Sequence, residues 1–308
     1  MIDILLAAYN GEKYISEQIE SILAQSCKNW RLIVQDDCST DSTAEIVETY
    51  VKKHPQKIVL MKREAPSGSA KNNFLDMLKY SDADYTMFCD QDDFWHKNKI
   101  EFTIKKMKQM EFENKNEPVL VHTQLQVVDK NLSVIKKSFF EYQGLDYKAV
   151  TLNRLLVQNN VTGCTMMINK QLRDMIKYED CDSILMHDWW FALIASAFGK
   201  IGFVKNPTIS YRQHGDNQLG AVNNRSIKGA VKILRERMKS KKRISVTYSQ
   251  AQAFYDVYKD VFSKEQRVCI EKYLKIPKKN KALRMVTIIK NNYTKQNLLT
   301  TIGQLIFC

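Results

Sequence analysis

Short apolar runs and segments of helical period alternate along the first 118 residues. Ile2 to Ala8 reads as a strand that ends in the turn signal Tyr9-Asn10-Gly11. Ile15, Ile19, Ile22 and Leu23 then recur at helical spacing. Trp30 to Gln35 predicts a second strand, closed by the polar loop Asp36-Asp37-Cys38-Ser39-Thr40-Asp41. The next helix carries its stripe at Ile46, Val47, Tyr50 and Val51, and Lys57 to Met61 predicts a third strand. Ser67-Gly68-Ser69 leads into a helix with Phe74, Leu75 and Leu78. Tyr85 to Cys89 predicts a fourth strand, followed by a helix near 97–110.

Strands alternating with helices in this way argue for βαβ units and a mostly parallel sheet. In such sheets ligands bind beyond the carboxyl ends of the strands. Tyr9-Asn10-Gly11, Asp36-Asp37 and Asp90-Gln91-Asp92-Asp93 all follow strands, so they are expected along one edge. After 118 the pattern loosens. Val119 to Val128 and Cys164 to Ile168 predict strands, Ser183 to Ser196 a helix, and Ile201 to Val204 a short strand. Phe203 to Gly220 reads as loop and strand, and helices dominate from 226 onward. Neither G-x-G-x-x-G nor G-x-x-x-x-G-K-[ST] occurs, which disfavours an ordinary dinucleotide fold or a P-loop.

The 308 residues, 44% hydrophobic and 26% charged, are enough for one large domain or two. The net charge of +13 is uneven. Residues 1–220 hold 27 Lys and Arg against 29 Asp and Glu; residues 221–308 hold 20 against 5. The basic part therefore calls for a polyanion or an anionic membrane surface as partner. Two stretches, 228–243 and 272–295, each carry eight Lys or Arg among apolar residues, the pattern of a membrane-surface helix. The alternative is a solvated basic face whose apolar stripe makes a homodimer. No helix-turn-helix, zinc-finger or RNP signature points to a specific nucleic acid. Seven cysteines without C-x-x-C spacing argue against a disulfide framework or zinc site and for a reducing cytoplasm. Ile2 to Ala8 reads as a first strand and not as a signal peptide, and no apolar run is long enough to span a membrane.

The chemistry concentrates at 90–93. Three carboxylates at the end of a buried strand repel one another and need a cation, hydrogen bonds or full solvation. Oxygen ligands suit Mg²⁺ or Mn²⁺, ions that also bind substrate phosphates. A solvated acidic turn is the other reading of these residues alone.

Taken together, Ala8-Tyr9-Asn10-Gly11, Ile22-Leu23-Ala24-Gln25-Ser26, Val34-Gln35-Asp36-Asp37-Cys38-Ser39-Thr40-Asp41 and the Asp-x-Asp-Asp-Phe-Trp loop resemble the family 2 glycosyltransferases over residues 1–220. Thr162-Gly163-Cys164-Thr165, His187-Asp188-Trp189-Trp190 and Tyr211-Arg212-Gln213-His214-Gly215 look most like bacterial rhamnosyltransferases of polysaccharide biosynthesis. The resemblance implies the GT-A fold, an α/β Rossmann-like domain with a mostly parallel central sheet flanked by helices. Its nucleotide-sugar half is expected at about 1–118 and its acceptor half at about 119–220. A basic, mainly helical region follows at 221–308. The implied donor is dTDP-L-rhamnose, with a UDP-hexose or UDP-N-acetylhexosamine as alternative. The acceptor is a lipid-linked saccharide, and the place is the inner face of the plasma membrane, held peripherally.

By the same resemblance Asp92 contacts a Mn²⁺ or Mg²⁺ ion. Asp90 shares the ion or holds the ribose, and His214 completes the site from a late loop. Asp37 accepts the N3–H of the pyrimidine, or caps a helix. Ala8, Tyr9 and Asn10 wall the base, with a core position as the alternative for Tyr9. Gln91 belongs to the same nucleotide pocket, and Lys71 stands near the diphosphate. Arg212 is a further candidate for a phosphate. Asp93 orients the acceptor or caps the next helix. Relatives carry Glu before the general base; here His187 takes that place and Asp188 keeps the carboxylate that deprotonates the acceptor. Trp189 and Trp190 offer a platform for a sugar ring, with a core role as the alternative for Trp190. A non-catalytic nucleotide-binding partner subunit is the reading outside enzymes. A nucleotidyltransferase is expected to carry a Gly-rich phosphate loop after its first strand, which this chain lacks.

Overall fold

The computed structural model describes residues 1–177, 181–214 and 237–307. By internal contacts the chain divides into two compact units. One comprises residues 1–139, 162–176 and 199–220; the other comprises 140–161, 177–198 and 221–308.

The first unit is built on one mixed sheet, in which the described strands run β3-β2-β1-β4-β8-β6-β9-β5, with β7 on β6. β1 (Ile2–Ala8) lies between β2 (Trp30–Asp36) and β4 (Tyr85–Asp90) and is parallel to both. Helices on such a sheet bury both faces of a central strand, which is why β1 is apolar almost throughout. The exception, Asp3, is fully buried and held by Arg31 at 2.9 and 3.0 Å and by the backbone N–H of Asp82 and Ala83. β3 (Ile58–Lys62) pairs parallel with β2. α1 (Ile15–Leu23), α2 (Thr43–Lys53) and α3 (Ala70–Met77) are the crossovers.

The chain steps outward from β1 to β2 and β3, then returns to the other side of β1 for β4. This reversal is the topological switch point, where α/β sheets open a crevice at the carboxyl ends of their strands. Register places Ala8 opposite Asp36 and Ala7 opposite Asp90, so the loops after β1, β2 and β4 leave the sheet at one level.

Beyond β4 the sheet is less regular than a doubly wound one. β6 (Val119–Val128) pairs parallel with β9 (Lys200–Arg212), while β8 (Met167–Asn169) is antiparallel to both β4 and β6. The two short strands foreseen within 164–204 are displaced: 163–165 is a 3₁₀ turn, and 200–212 is one continuous strand. β5 (Phe94–Trp95) and β7 (Val134–Lys136) are too short to show a period. α4 (Lys99–Glu113) covers β6 and β9, and α7 (Lys170–Met175) follows β8.

The second unit is helical. Its elements are α5 (Phe139–Gln143), α6 (Leu152–Leu155), α8 (His187–Phe198), α9 (Arg237–Tyr258), α10 (Lys264–Leu274), α11 (Lys281–Lys290) and α12 (Leu298–Phe307). The sequence division at 220 assigned 140–161 and 177–198 to the transferase domain, yet both segments group with the C-terminal helices. The reason lies in α8, which is apolar nearly all round and needs cover on more than one side. Trp190 meets Phe254 edge-on at 5.4 Å, and Phe198 stacks on Phe262 at 5.4 Å.

Candidate active site

The loop after β1 is tied down on both sides. The side chain of Gln91 accepts from Tyr9 N–H and donates to Tyr9 C=O, both at 2.8 Å. A Cβ on Gly11 would lie 2.3 Å from the Gln91 Oε1, so this clamp needs glycine there. On the other side Asn10 Oδ1 accepts from Thr40 N–H at 2.9 Å, and Asn10 N–H donates to the Ser39 hydroxyl at 2.9 Å. Ala8 is buried, whereas the Tyr9 ring is 55% exposed and thus outside the core. Gln91 and Asn10 therefore have framework contacts that sequence reading did not foresee.

Asp37 is buried at the end of β2 and does not cap α2. Its Oδ1 and Oδ2 accept from the Ser67 N–H and hydroxyl, each at 2.6 Å, and Arg63 Nε stands 3.4 Å from Oδ1. Arg63 in turn bonds Asp76. A carboxylate has about four lone-pair sites, so this fixed group keeps capacity for one more donor. Ser67-Gly68-Ser69 leads into α3, where Ser69 caps the helix by accepting from Asn72 N–H at 3.2 Å. Lys71 lies in the first turn of α3, where exposed N–H groups favour an anion.

The acidic loop divides into unlike groups. Asp92 Oδ2 lies 2.8 Å from His214 Nε2, and the His214 ring sits 5.1 Å from that of Tyr14. Asp93 is fully buried, with Oδ1 accepting from Arg212 N–H at 3.1 Å. Burial, reinforced by Asp92 and Asp90, pushes its carboxyl well above the usual range. Asp93 lies well before Asn98, which holds the N-cap position of α4, so it does not cap that helix. Lys99 is likewise fully buried, its ammonium 4.5 Å over the Trp95 ring, and burial pushes it down to about 8.

Among the described residues one group of three donors could hold a metal ion. Ligand atoms of Asp90, Asp93 and Cys164 lie within 4.8 Å of one another. The donor chemistry fits Mn²⁺ or Mg²⁺ poorly, because those hard ions take oxygen ligands and Cys164 offers sulfur. Asp92 with His214 offers a partly accessible oxygen and nitrogen already in contact at the exit of β4; the carboxylate suits Mn²⁺ or Mg²⁺ and the imidazole softer transition metals. Arg212 is not a phosphate ligand here. It is 3% exposed, with its side chain bonded to Glu17, Asp92 C=O and Lys130 C=O and stacked 4.6 Å over Tyr14. Gly215 lies outside the described residues.

Asp188 belongs to the first turn of α8 in the second unit. Its Oδ1 accepts from Asn159 Nδ2 at 3.1 Å, and Asn159 is anchored by its Oδ1 to Val161 N–H at 3.0 Å. Asp188 and Trp189 are half-buried, with Trp189 donating from Nε1 to Leu155 C=O at 2.6 Å. Trp190 is 1% exposed and donates to Lys177 C=O, so it is a core residue and not a sugar platform. His187 is also buried; burial pushes it down to about 3 and keeps it neutral. Tyr14, Glu17, Ser67, Arg63 and Asn159 were missed by sequence reading. Each acts on a residue distant in the chain, for which no local signal exists.

A family model described as Glycosyl transferase family 2 matches residues 3–173. The dTDP-rhamnosyl transferase RfbG of Shigella flexneri is 32% identical over 233 residues, covering 70% of this chain and 74% of that protein. The UDP-Glc:alpha-D-GlcNAc-diphosphoundecaprenol beta-1,3-glucosyltransferase WfgD of Escherichia coli is 30% identical over 174 residues, 56% of this chain and 61% of that one. Among solved structures, S. aureus TarS 1–349 in complex with UDP-GlcNAc superposes with a TM-score of 0.54 at 17% identity, covering 95% of this chain and 89% of that one. The mannosyltransferase PcManGT of Pyrobaculum calidifontis, in complex with GDP-Man and Mn²⁺, gives 0.51 at 12%, covering 99% and 86%. The structural likeness bears out the GT-A fold.

Proposed function

The chain belongs to glycosyl transferase family 2, and from that premise we propose an inverting, metal-assisted transferase that moves L-rhamnose from dTDP-L-rhamnose to a lipid-linked saccharide. The observation that carries this reading is the Asp92–His214 contact of 2.8 Å beside the switch point. The preference for rhamnose rests on the Shigella relative, which is named for that donor. The E. coli relative, named for UDP-glucose and a lipid-linked acceptor, supports a UDP-hexose as second reading and the lipid-linked acceptor in both.

Asp37 accepts the pyrimidine N3–H, which thymine and uracil share, while Ser67 and Arg63 hold its carboxylate in place. The exposed Tyr9 ring lies along the base, and Lys71 with the first turn of α3 meets the diphosphate. Asp92 and His214 hold a divalent ion, with Asp90 as a further oxygen ligand. When bound, that ion supplies positive charge to the departing nucleoside diphosphate. Asp188, oriented by Asn159, takes the proton of the acceptor hydroxyl as that oxygen attacks the anomeric carbon. Attack from the face opposite the leaving group turns a β-linked donor into an α-L-rhamnoside. Trp189 contacts the acceptor sugar. The enzyme works peripherally on the cytoplasmic face of the plasma membrane, where a lipid-linked acceptor is presented. Among the described residues, no helix is long and apolar enough to cross a membrane.

A donor screen tests this reading. Thermal shift in Mn²⁺ should show greater stabilisation by dTDP-L-rhamnose than by UDP-glucose, UDP-galactose or UDP-N-acetylhexosamines. A larger shift with a UDP-sugar would replace the donor; no shift with any nucleotide would remove the nucleotide site.

A further inference from the structure

Among the described residues, seven of the twelve exposed Val, Leu and Ile side chains lie in the last two helices. On α11 these are Leu283, Val286 and Ile289, and on α12 Leu298, Leu299, Ile302 and Ile306; all seven are between 44% and 75% exposed. At 3.6 residues per turn the first three span an arc of about 120°, and the other four about 100°. Each helix therefore shows one apolar stripe to solvent. Neither is a loose tail. α11 is capped by the Asn280 side chain and buries Thr287 and Ile288. α12 buries Gln304, whose side chain bonds Tyr293 C=O at 2.7 Å and Lys295 N–H at 3.0 Å.

The charge beside these stripes has one sign. No Asp or Glu occurs after Glu271, while Lys272, Lys275, Lys278, Lys281 and Lys290 are exposed. We infer that α11 and α12 form an interfacial anchor: the aliphatic stripes enter the acyl boundary of an anionic bilayer, and the lysines lie at its headgroups. This rests on the proposed lipid-linked acceptor, and it assigns the attachment to these helices and away from 228–243. Residues 228–236 of that earlier candidate lie outside the described residues.

Two other occupants fit less well. A second copy joined about a two-fold axis would set the same basic surface against itself, with no acid after Glu271 to answer it. A nucleic acid would meet the lysines but leave the aliphatic stripes wet, since single-strand binders offer aromatic stacking platforms in their place.

The test is flotation of the full chain with phosphatidylcholine vesicles in which about one lipid in three is phosphatidylglycerol. The wild type is expected to float with these, less so as salt rises, and not with pure phosphatidylcholine. Leu283→Ser/Val286→Ser/Ile289→Ser and Leu298→Ser/Ile302→Ser/Ile306→Ser should each bind at least about tenfold more weakly. Single Lys281→Gln or Lys290→Gln changes should cost roughly fivefold. Folding of each variant is checked by its melting curve, and the nucleotide site separately by calorimetry with dTDP and Mn²⁺. Retained dTDP binding with lost flotation supports the anchor. Wild-type chain that ignores anionic vesicles, variants that float like the wild type, or a wild-type dimer that the triple substitutions convert to monomer would overturn it. Loss of dTDP binding in the wild type would strike the transferase reading alone.

Discussion

Asp90, Asp92 and Asp93 look alike in sequence and differ sharply once folded. Asp92 meets His214, whereas Asp93 is buried, pinned by Arg212 N–H and pushed toward its neutral form. Two residues with one formula thus end in unlike surroundings, one against a histidine and one shut into the core. Asp92, Asp37 and Asp188 stood out in the sequence because they lie in the motifs that resemble family 2 glycosyltransferases. It did not show that Asp93 and Trp190 point inward, because both sit in short irregular or fully apolar segments where periodicity assigns no face. The residue-level prediction concerns the metal. Asp92→Ala and His214→Ala should each weaken Mn²⁺-dependent dTDP binding by about tenfold or more, while leaving binding in EDTA unchanged. Equal calorimetric affinities for variant and wild type in Mn²⁺ would remove both from the ion site.

Elements carry the site through a few long-range ties. The order of strands and helices through residue 118 was legible because β1, β2 and β4 are buried on both faces and the helices between them keep one apolar stripe. The later sheet was not, because β5, β7 and β8 have two or three residues each and owe their state to the long strands beside them. Arg212 shows what joins these parts. From the end of β9 it reaches α1 through Glu17 and the acidic loop through Asp92 C=O. Arg212→Met should lower stability by about 1–3 kcal/mol, since it leaves the Asp92 and Lys130 carbonyls without their donor. It should also loosen the loop, so that dTDP affinity in Mn²⁺ falls although no ligand residue has changed. Chemical denaturation and calorimetry on one sample read both effects; unchanged values would make the arginine a bystander.

At the scale of the molecule, fold and charge have separate origins. The sequence made the basic C-terminal part plain, since a count suffices. It did not reveal that 140–161 and 177–198 join that part, because only the three-dimensional cover of α8 shows it. Each unit also holds a buried neutral imidazole, His122 in β6 and His187 in α8, pushed by burial from 6.5 to about 3. A folded value below the unfolded one means that the unfolded chain binds more protons between those limits. Stability is therefore full above about 6.5 and declines as the pH falls toward about 3. At pH 5 the loss is on the order of 2 kcal/mol for each histidine. Melting curves should thus fall from pH 7 to pH 5, and His122→Phe should fall less; parallel curves for variant and wild type would contradict the assignment.

The central claim is that this chain is a catalyst with Asp188 as its base, and one turnover experiment addresses it. Purified wild type and Asp188→Asn are given dTDP-L-rhamnose, Mn²⁺ and bacterial lipid-linked saccharides, and released dTDP is followed. The account predicts release by the wild type that depends on the acceptor. For Asp188→Asn it predicts a rate lower by about 10²-fold or more, with dTDP affinity retained. Equal rates for the two proteins would contradict the base, and no release from any nucleotide-sugar would contradict the catalyst.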